Sequence, residues 1–495
     1  MKKLTDKLNR DLSAQAMLLT ASKVLTLLMS LVTGMLLSRF RTLTEYGTYS
    51  ELLTVITLAV SIFTLGLPNC INYFLPKSQN QEEKDRFLSC YYLVITALSV
   101  VMGIALAVSA PLLERYYDNG DIGLYWYVLF ILPWTKVIIG GRSNMLVATQ
   151  RAGREIIHSL CNSICLLLII VATKVLNQSF TFYLILYVVT EVLFTLAIYI
   201  ETAKIAEKFY WSFSTRLLKK MLVFSIPMGL STAVGTLNAE LDKLMIGRFF
   251  DTETVAIYAN AGKELPITYL SASFTAVILP QIVRHISEGR QKDAVRIWRN
   301  STEFCFVVMN FFSMACIVFA PQIITVLYSE KYLAGVDIFR FYSLTLSLRI
   351  TYWGMILNAY GRSKTILHAS LAGLGANVVL NFLCFKLLGF VGPALATFFS
   401  VLIALAMQVW LTKKTAGIRI LDMIPLQNIG KIFGINVLAA GVMALVVYFL
   451  RLGTSSRDIV ICVALGAVWL AVYLALLGKR IRVLLRNVNG QDADL

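Results

Sequence analysis

The residues able to do chemistry in this chain are ionisable groups placed where a membrane-crossing helix should carry none. Glu240, Asp242 and Lys243 lie in the apolar run 225–246, and Lys263 and Glu264 lie in the next run, 254–279. Lys23, Lys136 and Arg349 each sit near the middle of other apolar runs, and Glu191 sits in the run 180–200. A charge at the centre of a spanning helix costs about 2.5–3.5 kcal/mol on the insertion scale, so such groups face protein or a water-filled cavity. Lysine and arginine without a nearby acid suit an anion. Glu191 and Asp242 are the acids suited to a coupling proton or cation. Glu240 and Lys243, three residues apart on one helix face, can also neutralise each other.

Hydroxyl groups extend this pattern. Thr20, Lys23, Thr26, Ser30 and Thr33 recur at steps of three or four in the first apolar run, as do Ser50, Thr54, Thr57, Ser61 and Thr64 in the second. Thr232, Thr236, Glu240 and Lys243, then Asn260, Glu264, Thr268, Ser271 and Thr275, repeat the pattern in the seventh and eighth runs. Each set is one helix face. Ser and Thr stripes also serve helix–helix packing. Four of them with charges on or beside them predict a shared hydrated cleft, with Glu51 bringing charge to the second. Pro133, Pro227 and Pro266 fall inside runs and remove backbone hydrogen bonds. Pro227 and Pro266 are the expected hinges.

The elements that must position these groups follow from hydropathy. Of 495 residues, 58% are hydrophobic and 15% charged, against about 25% charged in soluble domains. The chain reads as an all-α membrane protein with about 14 transmembrane helices: 15–37, 47–67, 88–109, 123–147, 157–173, 180–200, 221–246, 254–279, 301–321, 338–360, 365–387, 390–411, 430–450 and 459–477. With both termini inside, the inner segments hold 29 of the 45 lysines and arginines, and the outer loops hold nine. That bias sets the orientation and accounts for the net charge of +17 without nucleic acid. The longest outer connection, about 111–122, is too short for a separate domain.

The halves repeat at a nearly constant offset. Arg39-Phe40 and Tyr49 lie over Arg248-Phe249 and Tyr258 at 209, Leu75-Pro76 over Leu279-Pro280 at 204, and Met145 and His158 over Met355 and His368 at 210. A repeat across six spans preserves orientation, so two parallel six-helix lobes around a central cleft are expected. The boundaries are 1–210 and 211–415, with two additional helices and a basic tail in 416–495.

The eight cysteines form no CxxC pair, and neither zinc spacing nor HExxH appears, so no metal or other cofactor is expected. No GxxxxGK[ST] loop is present, which excludes ATP hydrolysis by that route. Pumping would be secondary, coupled to H+ or Na+, or driven by a partner. The short outer loops argue against a membrane glycosyltransferase or polymerase, and hence against an enzyme.

Three motifs carry a resemblance. Leu37-Ser38-Arg39-Phe40 with Glu45-Tyr46-Gly47-Thr48-Tyr49 is the first. Phe224-Ser225-Ile226-Pro227 with Leu241-Asp242-Lys243-Leu244-Met245-Ile246-Gly247 is the second. The third is Gly361-Arg362-Ser363-Lys364, Asn377, Asn381 and Gly389-Phe390-Val391-Gly392-Pro393-Ala394-Leu395-Ala396-Thr397. The chain resembles the polysaccharide flippases that move O-antigen, capsule or exopolysaccharide repeat units. These belong to the multidrug/oligosaccharidyl-lipid/polysaccharide exporter superfamily. Gly392-Pro393 stands where that family usually reads Gly-Ala. The resemblance implies alternating access of two lobes, an undecaprenyl-diphosphate-linked oligosaccharide as cargo, and the bacterial inner membrane. It leaves a polysaccharide polymerase and a chain-length regulator as partners. For that cargo Lys23, Lys136 and Arg349 are the expected diphosphate contacts, with Lys243 or Lys263 as a further one. Thr26, Ser30, Thr57, Ser61, Thr236, Glu240, Asn260, Glu264, Thr268 and Ser271 would line the cleft. The alternatives are a cation-coupled multidrug exporter, disfavoured by a first span with a lysine and no carboxylate, and a lipid II flippase, whose cargo is also an anionic diphosphate.

Overall fold

The computed structural model describes residues 12–149, 151, 153–208, 213–263 and 265–488; the side chains of 12–23, 153, 363 and 485–488 are likewise outside the description. It is helical throughout, with no strand among the described residues. In chain order the helices of the first half are α1 (Leu12–Phe40), α2 (Leu43–Phe63), α3 (Pro68–Phe74), α4 (Gln81–Val108), α5 (Ala110–Tyr117), α6 (Asp121–Leu124), α7 (Trp126–Ala148), α8 (Gly153–Val175), α9 (Phe180–Ile205) and α10 (Thr215–Phe249). They continue as α11 (Thr252–Ala261), α12 (Thr268–Ser287), α13 (Gln291–Val318), α14 (Ala320–Leu327), α15 (Val336–Leu346), α16 (Met355–Ala359), α17 (Ser363–Leu388), α18 (Gly392–Ala416), α19 (Ile420–Met423), α20 (Leu426–Phe449) and α21 (Ser456–Val488). Among the described residues nine stretches are long and apolar enough to cross a membrane, two of them each joining consecutive helices, Leu43–Phe74 and Lys364–Ala416.

Each of the fourteen expected segments falls largely on helix, but two are broken mid-span by several non-helical residues. Segment 254–279 divides into α11 and α12, and segment 338–360 into α15 and α16. The first break has a local cause: Pro266 lacks an N–H and disfavours helix at the residue before it. The second is held open by side chains. Asn310 Nδ2 donates to Ser347 Oγ at 3.2 Å, Trp298 Nε1 to Thr351 Oγ1 at 3.0 Å, and Trp353 Nε1 to the Leu348 carbonyl at 2.8 Å. Non-helical backbone at membrane depth needs partners for the groups the helix no longer bonds, and of these three side chains Trp353 supplies one, to the Leu348 carbonyl. The expected polar stripe from Asn260 to Ser271 is therefore not one helix face, since Asn260 is on α11 and Thr268 and Ser271 are on α12.

The contacts divide the chain into two compact units, Met1–Ala256 and Ile257–Leu495. In the first, α1 packs on α8, α4 on α7, α7 on α9, and α10 on α2 and α3, so the seventh long helix goes with the first unit. Close approach requires glycine at that last contact. Gly66 has φ +70°, and a Cβ on Gly229 would collide with the Leu65 and Gly66 backbone. Pro227 lies two residues earlier, inside α10, which continues through it. The core of this unit gathers Leu67, Ile71, Phe87, Leu88, Tyr91 and Ile95 against Val137, Ile138, Met145 and Ile198.

In the second unit α17 packs on α18, and α13 is the hub, touching α12, α15, α20 and α21. The two added helices are fastened to that hub by buried polar groups. Asn436 Nδ2 donates to Asn310 Oδ1 at 2.6 Å, and Tyr473 OH donates to the Val307 carbonyl at 2.7 Å. Arg480 makes a two-pronged pair with Glu303 at 2.7 and 3.0 Å. Gly392-Pro393 opens α18, with Pro393 in the first turn, where a missing N–H costs nothing.

The long helices of the two halves start at matching intervals. Gln81–Val108 and Gln291–Val318 each have 28 residues and begin 210 apart (291 − 81). Ala110–Tyr117 and Ala320–Leu327 each have eight residues and also begin 210 apart (320 − 110). The outer connection read as a loop at about 111–122 is thus mostly helix, in turns too short to register as apolar periodicity.

Candidate functional site

The two helix breaks of the second unit meet at one cavity. Its walls are Ala261, Gly262, Lys263 and Leu265 from the first break, and Phe339, Tyr342, Ser343, Thr345, Leu346 and Arg349 from α15 and the second. The cavity is about 20 Å³, room for a single water. Two of the five cations singled out by sequence, Lys263 and Arg349, therefore line the same space, each partly buried. The breaks supply more than position. α15 ends in tight turns, with the Leu348 N–H donating to the Thr345 carbonyl at 3.0 Å and the Arg349 N–H to the Leu346 carbonyl at 3.1 Å. Ser313 Oγ holds the Ser343 carbonyl at 2.7 Å. Two cationic side chains, hydroxyls and irregular backbone thus meet at this cavity.

The other predicted cations have different surroundings. Lys136 on α7 pairs with Glu191 on α9 at 3.1 Å, with Glu191 2% exposed and Lys136 34%, and its ammonium stands 5.2 Å from the Tyr187 ring centre. Two residues assigned separate roles, diphosphate contact and ion coupling, are thereby joined as one ion pair. Lys243 pairs with Glu240 on the same helix. Asp242 is buried on α10. Lys23 is carried by α1, but its side chain lies outside the described residues, as do that of Thr20 and the whole of Glu264.

The predicted hydroxyl lining is mostly turned on its own helices. Ser61 Oγ donates to the Leu58 carbonyl, Thr236 Oγ1 to Thr232, Thr268 Oγ1 to Leu265 and Ser271 Oγ to Thr268, all at 2.8–3.1 Å. Such bonds satisfy the hydroxyl proton and leave lone pairs free. Thr57 and Ser30 are exposed, Thr26 is half-buried, and Asn260 is buried at 1%. Pro266 lies in the first break, beside the cavity. Sequence reasoning passed over Tyr342, Ser343 and Thr345, and the Asn310–Ser347 contact. Asn310, an amide alone in the apolar run 301–321, was the available signal.

The motif residues behind the resemblance are largely architectural. Glu45 and Thr42 form a reciprocal cap on α2 at 3.0 and 3.1 Å, which satisfies two orphan N–H groups. A Cβ on Gly47 would strike Thr252, and one on Gly392 would strike the Cys384 carbonyl. Asn381 Nδ2 donates to Asn377 Oδ1 at 2.7 Å within α17, both fully buried.

The described residues form an all-helical protein of long apolar spans, two of them discontinuous. Solved structures agree at the level of fold. The chain is similar to the lipid II flippase MurJ in its inward closed conformation, with TM-score 0.70 and 15% identity, covering 94% of this chain and 99% of that one. An inward-facing multidrug-resistance MATE transporter of the MOP superfamily matches with TM-score 0.64 and 16% identity over 79% and 94%. A mutant form of the Vibrio cholerae MATE transporter VcmN matches with TM-score 0.56 and 16% identity over 83% and 97%. No curated protein sequence matches the chain. The sequence model of the polysaccharide biosynthesis protein family matches residues 12–286, and that of the lipid II flippase MurJ matches residues 155–463. Each spans more than half of the chain, which therefore belongs to the polysaccharide and lipid-linked flippase branch of this superfamily.

Proposed function

We propose that the chain flips an undecaprenyl-diphosphate-linked oligosaccharide repeat unit from the cytoplasmic to the outer leaflet of a bacterial inner membrane, by alternating access of two six-helix lobes with the repeat boundary near residue 210. The observation that carries this is the joint lining of one cavity by Lys263 and Arg349. Moving a diphosphate and its sugars unaided through hydrocarbon would strand every charge and hydroxyl. A cationic, hydroxyl-bearing surface replaces their water while the polyprenyl tail stays in lipid.

Lys263 and Arg349 are the primary diphosphate contacts on this reading, and Lys23 is a further one. Lys243 and Lys136 act through their acids and adjust the local field. Thr26, Ser30, Thr57, Ser61, Thr236, Glu240, Asn260, Glu264, Thr268 and Ser271 offer hydroxyl, amide or carboxylate groups to the sugars. Pro227 and Pro266 are the flexing points. Both termini are cytoplasmic, following the loop charges. Coupling to H+ or Na+, with Asp242 taking part while Glu191 answers Lys136, supplies the energy, and a polymerase with its chain-length regulator consumes the product.

A second reading, a lipid II flippase, is favoured by the match over residues 155–463. Gene deletion separates the two. Accumulation of a lipid-linked glycan repeat unit on the cytoplasmic side, reversed by the wild-type chain, supports the first. Rescue of cells depleted of their lipid II flippase, with no change in surface glycan, overturns it.

A further inference from the structure

The two helices outside the repeat, α20 and α21, reach the cavity through hydrogen bonds, although no described residue of either lines it. Tyr473 on α21 gives its hydroxyl proton to the Val307 carbonyl at 2.7 Å. Its oxygen is left to accept, and Asn436 Nδ2 on α20 donates to it at 3.2 Å. The same amide nitrogen donates to Asn310 Oδ1 on α13 at 2.6 Å. Asn310 must therefore turn its own Nδ2 the other way, where it donates to Ser347 Oγ at 3.2 Å. Ser347 stands two residues before Arg349, in the break that brings Arg349 to the cavity.

Each bond of this relay has one permitted direction. A tyrosine hydroxyl holds one proton, and an asparagine amide donates from nitrogen and accepts at oxygen. The chain of donors is buried throughout: Asn310 and Asn436 are fully buried, Tyr473 is 3% exposed and Ser347 8%. Aiming both N–H bonds of Asn436 at Tyr473 and Asn310 leaves its Oδ1 buried with no hydrogen-bond partner among the described residues. A buried oxygen left unmet is costly, and packing alone does not ask for it. The repeat sharpens the point. At the offset of 210, Asn310 and Ser347 correspond to Val100 on α4 and Val137 on α7 (310 − 210 and 347 − 210), and α7 runs unbroken there. The amide, the hydroxyl and the break occur together in the half on which the two extra helices pack.

We propose that Tyr473 and Asn436 are positioning residues for Arg349. They hold Asn310 in the one amide orientation that donates to Ser347, and so fix the tight turns that carry Arg349. Those turns bond the Ser347 N–H to the Leu344 carbonyl at 3.1 Å, the Leu348 N–H to Thr345 at 3.0 Å and the Arg349 N–H to Leu346 at 3.1 Å. This rests on the reading of the cavity as a diphosphate contact, and adds that helices outside the repeat set its geometry.

The test is hydrogen exchange of the full-length protein in phosphatidylcholine vesicles, which needs no cargo. Tyr473→Phe removes the hydroxyl and keeps the ring, which packs on Phe311 with centres 5.1 Å apart. Exchange over residues 347–354 should quicken at least about fivefold, while residues 456–468, at the other end of α21, keep wild-type protection. Asn436→Leu should do the same from the neighbouring helix. Unchanged exchange over 347–354 in both variants, or a loss spread evenly along α20 and α21, overturns the proposal. Binding of inorganic diphosphate is the second readout. Tyr473→Phe should bind it at least about threefold more weakly than wild type, and should add nothing in an Arg349→Gln background. Fully additive losses overturn the proposal. A wild type that binds no diphosphate counts against the cavity as an anion contact and leaves the exchange result standing, so the two failures are distinguishable.

Discussion

Equivalent helices in the two halves deal with charge in opposite ways. In the first unit α7 runs unbroken past Pro133, and Lys136 is answered by Glu191 on the neighbouring α9. In the second, the corresponding stretch breaks between α15 and α16, and Arg349 comes to line a cavity with Lys263, itself beside a break. The contrast holds for the preceding pair as well. α2 continues for three turns past Glu51, whereas α11 stops at Ala261, just after Asn260. A continuous helix satisfies its own backbone, and here α7 holds Lys136 by pairing it with Glu191. A broken helix exposes backbone groups that need partners, and those partners create a polar surface. One half thus answers Lys136 with a buried acid, while the other sets Lys263 and Arg349 at the wall of a cavity.

That comparison makes predictions of graded size. The largest concerns the presented cations. Lys263→Gln with Arg349→Gln should lower flipping of the lipid-linked cargo at least about tenfold, equivalent to about 1.4 kcal/mol of lost recognition, at unchanged membrane protein levels. Equal flipping would remove the cavity from the mechanism. Next is Gly229→Ala, whose Cβ collides with backbone. Overpacking of this kind costs about 1–3 kcal/mol, read as a lower melting temperature in detergent.

Lys136→Met should cost about 2 kcal/mol by stranding Glu191, less than for a fully buried pair because Lys136 is a third exposed. Adding Glu191→Leu should restore the stability. If Lys136→Met were stable yet inactive, Lys136 would be a presented cation after all, and the contrast between the halves would fail. The smallest effect belongs to Asn310→Leu, which leaves the Ser347 hydroxyl and the Asn436 amide without this partner. A loss of about 1 kcal/mol is expected, with reduced protection of residues 347–354 in hydrogen exchange.

The helices were legible in the sequence because hydropathy over long windows reports burial in lipid, and all fourteen segments fall largely on helix. The breaks were only half legible. Pro266 marked the first as a flexing point, but Tyr352, Trp353 and their neighbours are apolar, and hydropathy does not register where backbone hydrogen bonds go. The side-chain bonds that pin the second break come from Asn310 and Trp298, which lie 37 and 53 residues before the hydroxyls they reach. The ion pair of Lys136 and Glu191 showed in the sequence as two separate charges, since 55 residues lie between them. Glu51 drew notice only as a charge near a stripe. The structure buries it where Asn119, from a segment that reads as a loop, donates to it, and where Gly47 and Gly247 lack side chains.

The most direct test of the central claim is flipping of an undecaprenyl-diphosphate-linked oligosaccharide in vesicles holding equal amounts of wild type, Lys263→Gln/Arg349→Gln, or Lys136→Met/Glu191→Leu protein. The account predicts that the first double variant loses transport while the second, whose charges only answer each other, keeps most of it. The reverse order would contradict it.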